Sequence, residues 1–187
     1  MNETLKVIAE RYSCRDFKDT MPPDEVLQAI AEAAVQAPSA MNRQAWRVIV
    51  VKDRDLINDI ESEAISYIEG MEDKSSYERI KERGGMIFYG APVLVVVAID
   101  PSHQDYALID CGIVCQNIAI AAASLGIANV ICGYAGRSFD KPASAEEFGK
   151  RLGFPEGYIF GCSVLLGYAN STKQPHEPDK NKVSFIE

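Results

Sequence analysis

Two short stretches carry side chains whose types and spacing suit binding chemistry. The first is Arg11-Tyr12-Ser13-Cys14-Arg15. Arg11 and Arg15 project from one side of the chain whether the segment is helical (i, i+4) or extended (i, i+2, i+4 with Ser13). Two guanidinium forks and a hydroxyl together suit a cluster of phosphate oxygens. The alternative is that Arg11 pairs with Glu10 or Asp16 at the surface. The second stretch is Ala37-Pro38-Ser39-Ala40-Met41-Asn42-Arg43-Gln44-Ala45-Trp46. Its Pro, Ser and Asn are ordinary turn residues. Asn42 and Gln44 also present amide edges carrying donor and acceptor side by side, as a heterocycle with an imide edge would require.

Other chemistries lack their residues. The glycine fingerprint of a dinucleotide-binding Rossmann turn, the P-loop pattern and the Gly-x-Ser-x-Gly elbow do not occur. His103 and His176 are the two histidines, too few for a His-rich metal site. Cys111 and Cys115 stand one helical turn apart, half of a metal site at most, and read as small core side chains. No metal site is expected.

Helices and strands must position these stretches. Apolar spacing predicts helices over residues 5–11, 23–36 and 53–70, a weaker charged one over 75–84, and another over 144–152 with Ser144, Glu146 and Glu147 as a capping pattern. Residues 106–125 are apolar all round, which suits burial in a core or a subunit interface. Polar breaks at Gln116, Asn117 and Ser124 make residues 113–125 too short and polar to span a bilayer. Strands are expected over 46–51, 92–99, 129–132 and 163–168, with 183–186 alternating like an edge strand. The strands are not regularly interleaved with crossover helices, so the reading is one α+β domain over residues 1–187. Its sheet is mixed or mostly antiparallel, flanked by helices.

Composition sets outer limits. The 187 residues are 47% hydrophobic and carry 27 acidic against 19 basic side chains, a net charge of -8. That balance argues against a surface made for nucleic acid or anionic membranes, while leaving room for one enclosed anion. Residues 53–82 alone hold 10 acidic and 4 basic side chains, the usual composition of a solvated helical face. Five cysteines without a CxxC pattern fit reduced thiols, and the N-terminus lacks the layout of a signal peptide. A cytoplasmic location is expected.

Several segments in order extend the pattern: Arg11-x-Ser13-x-Arg15-x-Phe17, then Ala37-Pro38-Ser39-x-x-Asn42-x-Gln44-x-Trp46 leading into a Val/Ile strand. Gly90-Ala91-Pro92 opens an apolar strand, Asp110 to Gly126 includes Gln116-Asn117 and Ser124-Leu125-Gly126, and Leu166-Gly167-Tyr168 comes near the end. Together, over nearly the whole chain, they resemble the nitroreductase family of FMN-dependent oxidoreductases. The resemblance implies an α+β homodimer with the long apolar helix at its core and FMN at the subunit interface. NADH or NADPH would be the electron donor, and a nitroaromatic, quinone or similar acceptor would be reduced in a ping-pong cycle. It implies Arg11, Ser13 and Arg15 at the phosphate and the pyrimidine end of FMN, and Pro38, Ser39, Asn42 and Gln44 lining the flavin from the partner chain. It implies Cys132-Gly133 presenting backbone N–H groups to the flavin, and Lys180 and Lys182 completing the phosphate site, with Lys173 within an alignment shift. A cation beside the flavin favours its reduced form, so no catalytic side chain is needed. Ala45 replaces a proline usual before the tryptophan, and Cys132 stands where some members carry Glu. Residues 53–83 hold no motif of the family. Two other readings stay open: a specialised flavin enzyme of the same fold, such as a dehalogenase or ring oxidiser, and a non-catalytic flavin-binding dimer.

Overall fold

The computed structural model describes residues 1–186, with the side chains of residues 103–105 outside that description. Each early helix starts and stops where local chemistry dictates. In α1 (Glu3–Glu10) the Asn2 side chain accepts from the Leu5 N–H at 2.9 Å, which caps the first turn. Arg11 then turns into extended backbone and ends the helix. In α2 (Asp24–Val35) Pro23 and two acidic residues occupy the start, and Leu27, Ile30 and Ala34 form the buried stripe. In α3 (Arg54–Gly70) the Asp53 carboxylate accepts from the N–H groups of Asp55 and Leu56, and a stripe from Leu56 to Ile68 is buried. A charged helix, α4 (Ser75–Glu82), follows.

The sheet comprises β1 (Trp46–Val51), β2 (Val93–Ile99), β3 (Ala128–Ile131) and β4 (Ile159–Gly167), in the order β1-β2-β4-β3. Every pairing among these four strands is antiparallel, and one parallel bridge, Ser13 to Asn129, adds to the β3 edge. All seven residues of β2 are buried, because both faces of this inner strand are covered. Leu94 and Val96 join α3, α4 and α6 (Pro142–Leu152) on one face. Val93, Val95 and Val97 join α2 and α5 (Gln104–Ser124) on the other. Burying one such Val, Leu or Ile fully stabilises the fold by about 1.5–3 kcal/mol. Between Val97 and Ala98 the register shifts, and Gly161 is the extra residue on β4. A Cβ there would stand 2.9 Å from Cys111 Sγ and from the Val97 carbonyl, so glycine is what lets the bulge form.

Two sequence expectations fail. Residues 183–186 form no strand, and Val183, Phe185 and Ile186 are exposed; the alternation exists but among the described residues no sheet edge pairs with it. Ser144 does not cap α6, which begins at Pro142; its hydroxyl donates to Glu63 at 2.8 Å. In α5, Val114, Ile118 and Ala122 are buried in the core, while Tyr106, Leu108 and Ile109 are exposed in the single chain. By length and composition alone, residues 106–124 would suffice to cross a membrane, a property that core helices share, and this helix packs Val114, Ile118 and Ala122 into the core.

Candidate functional site

After α1 the chain runs extended along β3. Ser13 bridges Asn129 in parallel, and the Cys14 N–H donates to the Asn129 carbonyl at 2.9 Å. Cys14 and Phe17 are buried and anchor the segment. Strand alternation then turns Arg11, Ser13 and Arg15 away from Cys14. Of the two conformations the sequence allows, the extended one forms, and it separates Arg11 from Arg15 by about 13 Å. They therefore do not converge on one point. Arg11 lines a hollow of about 430 Å³ with Lys18, Asn129 and Tyr168, where the buried Asn129 Oδ1 has no partner among the described residues. Arg15 lines a larger cavity of about 810 Å³. Among the described residues no carboxylate pairs with either arginine; Asp16 instead accepts from Asn170 at 2.9 Å and from Ser171. The surface-pair alternative for Arg11 is thus not what forms.

The larger cavity joins Arg15 to Cys132 and Gly133 at the end of β3. Nothing lies within 4 Å of where a Cβ would stand on Gly133, which leaves open space beside its backbone. The Cys132 side chain points into the core, with Sγ 3.7 Å from the Ile87 carbonyl, and burial pushes its thiol up to about 11. It stays a neutral thiol near pH 7. Phe139 stacks on Phe160 at 4.8 Å and on Phe154 at 5.8 Å, giving the cavity a rigid aromatic wall. Tyr89 lines it too, held at φ 54° with its carbonyl accepting from the Phe17 N–H.

The second stretch folds into a strained loop. Met41, Asn42 and Gln44 all have positive φ, at 54°, 54° and 49°, costing roughly 1–2 kcal/mol each at Met41 and Gln44 and less at Asn42, since asparagine tolerates that region. Side chains hold the shape: Ser39 Oγ accepts from the Gln44 N–H at 2.9 Å, and Asn42 Oδ1 accepts from Gln44 Nε2 at 2.9 Å. The buried Asp110 carboxylate accepts from the Ala40 N–H at 3.2 and 3.3 Å. Neither the Asn42 NH₂ nor the Gln44 carbonyl takes part in these bonds, so a donor and an acceptor remain for a ligand. Pro38, Ser39, Asn42 and Gln44 do not line the cavity that holds Arg15. The loop leads into β1, and β2 and β4 separate β1 from β3, about 14 Å of sheet.

Lys180 and Lys182 lie in an exposed turn capped by Asp179. Lys173 is near enough to Cys14 for its charge to act on that thiol, as Arg15's does, although burial is the larger influence and raises the thiol. Cys111 and Cys115 sit in the core with Cys162; among the described residues no group of three or more His, Cys, Asp or Glu could hold a metal ion. Motif spacing passes over Arg83, Arg137 and the aromatic wall. Asp110 did leave a signal, as a charged residue opening an otherwise apolar helix.

Comparison with known proteins adds independent findings. Residues 8–168 match the model of the nitroreductase family. The chain is 33% identical over 183 residues to a protein of Archaeoglobus fulgidus named as an NADH dehydrogenase/NAD(P)H nitroreductase, covering 96% of this chain and 92% of that one. Among solved structures, it is similar to a nitroreductase with bound FMN from Desulfitobacterium hafniense DCB-2, with a TM-score of 0.98, 68% identity and all of both chains covered. A nitroreductase with bound FMN from Bacteroides fragilis superposes with a TM-score of 0.90 at 28% identity, again over both whole chains.

Proposed function

The chain belongs to the nitroreductase family, and we propose that it takes hydride from NADH or NADPH and passes two electrons to a nitroaromatic, quinone or similar electron-poor acceptor in a ping-pong cycle. It is an FMN-dependent oxidoreductase. The observation that carries this reading is Arg15, a cation with no carboxylate partner among the described residues, beside the open backbone at Cys132-Gly133 in an aromatic-walled cavity.

The residues present fit FMN. An elongated ligand with a phosphate at one end and a flat ring at the other suits two arginines about 13 Å apart on one extended face better than a compact anion would. Arg11 and Ser13 hold the phosphate end, while Arg15 holds the pyrimidine end, where its charge favours the reduced form. Gly133 lets the ring approach the backbone. When bound, FMN supplies the two-electron redox centre. The protein binds, orients and leaves one face accessible.

The site is completed by a second copy of the chain. Pro38, Ser39, Asn42 and Gln44 lie across the sheet from Arg15, so a partner's loop is what brings their amide edges to the ring. Exposed apolar side chains support such a partner: Leu5 and Ile8 on α1, Tyr106, Leu108 and Ile109 on α5, and Val183, Phe185 and Ile186 in the tail. Lys180 and Lys182, on that tail, reach the partner's phosphate site, and Lys173 adds charge within its own chain. The dimer is cytoplasmic, each chain one domain over residues 1–187; five free cysteines accord with a reducing compartment.

Two measurements test this reading together. Titrating FMN into cofactor-free protein should give saturable quenching of flavin fluorescence with one FMN per chain, and sedimentation should give a dimer. Initial rates at several donor and acceptor concentrations should give parallel double-reciprocal lines. Failure to bind FMN would overturn the cofactor assignment, and intersecting lines would overturn the ping-pong order.

A further inference from the structure

The cavity is a cationic exception on an acidic protein. Its charged lining consists of Arg15, Arg83, Arg137 and Asp140, in a chain of net charge -8. Arg137 and Asp140 neutralise each other in an ion pair of 2.8 Å. Arg15 is committed to the cofactor on the reading above, on which this inference rests. Arg83 remains. It follows α4 at the end of the acidic run, and it is the one residue of the 53–83 segment that lines the cavity. Among the described residues no carboxylate pairs with it, although neighbouring Lys81 pairs with Glu78. A guanidinium left unpaired at the rim of a cavity is placed to meet an anion arriving from solvent.

The remaining wall says what carries that anion. Three of the chain's 8 tyrosines and three of its 7 phenylalanines line the cavity, and Phe154 and Phe160 both stack on Phe139. A flat ring suits that wall. Tyr89 enters it from a left-handed backbone conformation, and strain of that kind persists where the surroundings enforce it. Gly84 and Gly85, directly after Arg83, also have positive φ and set the path of the chain there.

We propose that this cavity selects aromatic electron acceptors bearing an anionic group such as a carboxylate, and that Arg83 is the specificity-determining residue that meets this group. The test compares 4-nitrobenzoate with nitrobenzene, using the wild type, Arg83→Ala and Arg83→Lys. In Arg83→Ala, kcat/KM for 4-nitrobenzoate falls by about 10-fold or more, the size of a lost charge-assisted hydrogen bond. Nitrobenzene changes by less than about two-fold, and Arg83→Lys recovers part of the loss. Calorimetry with benzoate and benzamide, neither of them reducible here, reads binding alone: the wild type prefers benzoate, and Arg83→Ala does not. Equal losses for both acceptors, or no benzoate preference, would overturn the proposal. So would a loss confined to reduction by NADH, which would assign Arg83 to the donor's phosphates. If the purified protein holds no FMN, the earlier reading fails, while the calorimetric arm still decides this one.

Discussion

At the β3 edge of the sheet Arg11 and Arg15 stand beside open space, without carboxylate partners among the described residues. At the β1 edge the polar groups of residues 39–44 are tied to one another and to buried Asp110. The β3 edge leaves charge unsatisfied; the β1 edge fixes its polar groups through hydrogen bonds within the loop and concentrates positive φ at Met41, Asn42 and Gln44. The difference matches two tasks in recognising one ligand. Cations provide affinity by meeting negative charge that arrives with the ligand. Amide edges provide orientation, which requires that they be fixed beforehand, and the strain is the cost of fixing them.

Substitutions at each edge should fail in different ways. Reversing the charge with Arg15→Glu should have the largest effect, weakening FMN binding by about 100-fold or more while leaving the thermal midpoint of the cofactor-free protein nearly unchanged. Isothermal titration and a melting curve without FMN check both halves. Asp110→Ala should show the reverse pattern: a stability loss of about 1–3 kcal/mol in the cofactor-free protein, from a buried N–H left unsatisfied, with weaker FMN binding as a consequence. Asp110→Asn keeps an acceptor oxygen and should lose less; denaturant unfolding separates the two. If Asp110→Ala destabilised nothing, the loop would not depend on that anchor. Met41→Gly should stabilise the cofactor-free protein by up to about 1 kcal/mol, because glycine adopts positive φ without the Cβ penalty. Marked destabilisation would show that the strain at this edge was misjudged.

The smallest effect is expected at Cys132. Its thiol is pushed up to about 11 by burial, so it stays protonated, and it ionises only as pH rises past that value. The kcat/KM profile of Cys132→Ala should therefore overlay the wild type between about pH 6 and 9 to within a factor of about two. A step near neutral pH that vanished in the variant would make the thiol a participant.

Much of this architecture was legible from side-chain periodicity. Residues 46–51 and the apolar run ending at Ile99 are strands because β-branched side chains cover both faces of a buried sheet, and that composition is visible without coordinates. Helix ends were less legible where tertiary partners compete: Ser144 has the chemistry of a cap, yet Glu63 lies within its reach. The alternation at residues 183–186 reports an apolar face, but alternation alone cannot say whether a strand edge is available to pair with it. Of the residues the resemblance pointed to, Arg15 and Cys132-Gly133 line one cavity. Whether Arg11 and Arg15 converge depended on backbone conformation, helical or extended, and their spacing suited both. Arg83 and Phe154 lie far from Arg15 in sequence and meet at the cavity only through the fold, so no local pattern marked them.

The central claim is that this chain carries FMN and that NADH or NADPH reduces it there. The visible spectrum of the purified protein, recorded before and after anaerobic addition of NADH or NADPH, tests it most directly. The account predicts flavin absorption that bleaches on addition of one of the two donors and returns when an electron-poor acceptor such as a quinone is admitted. A colourless protein that takes up no added FMN, or a bound flavin that neither donor bleaches, would contradict it.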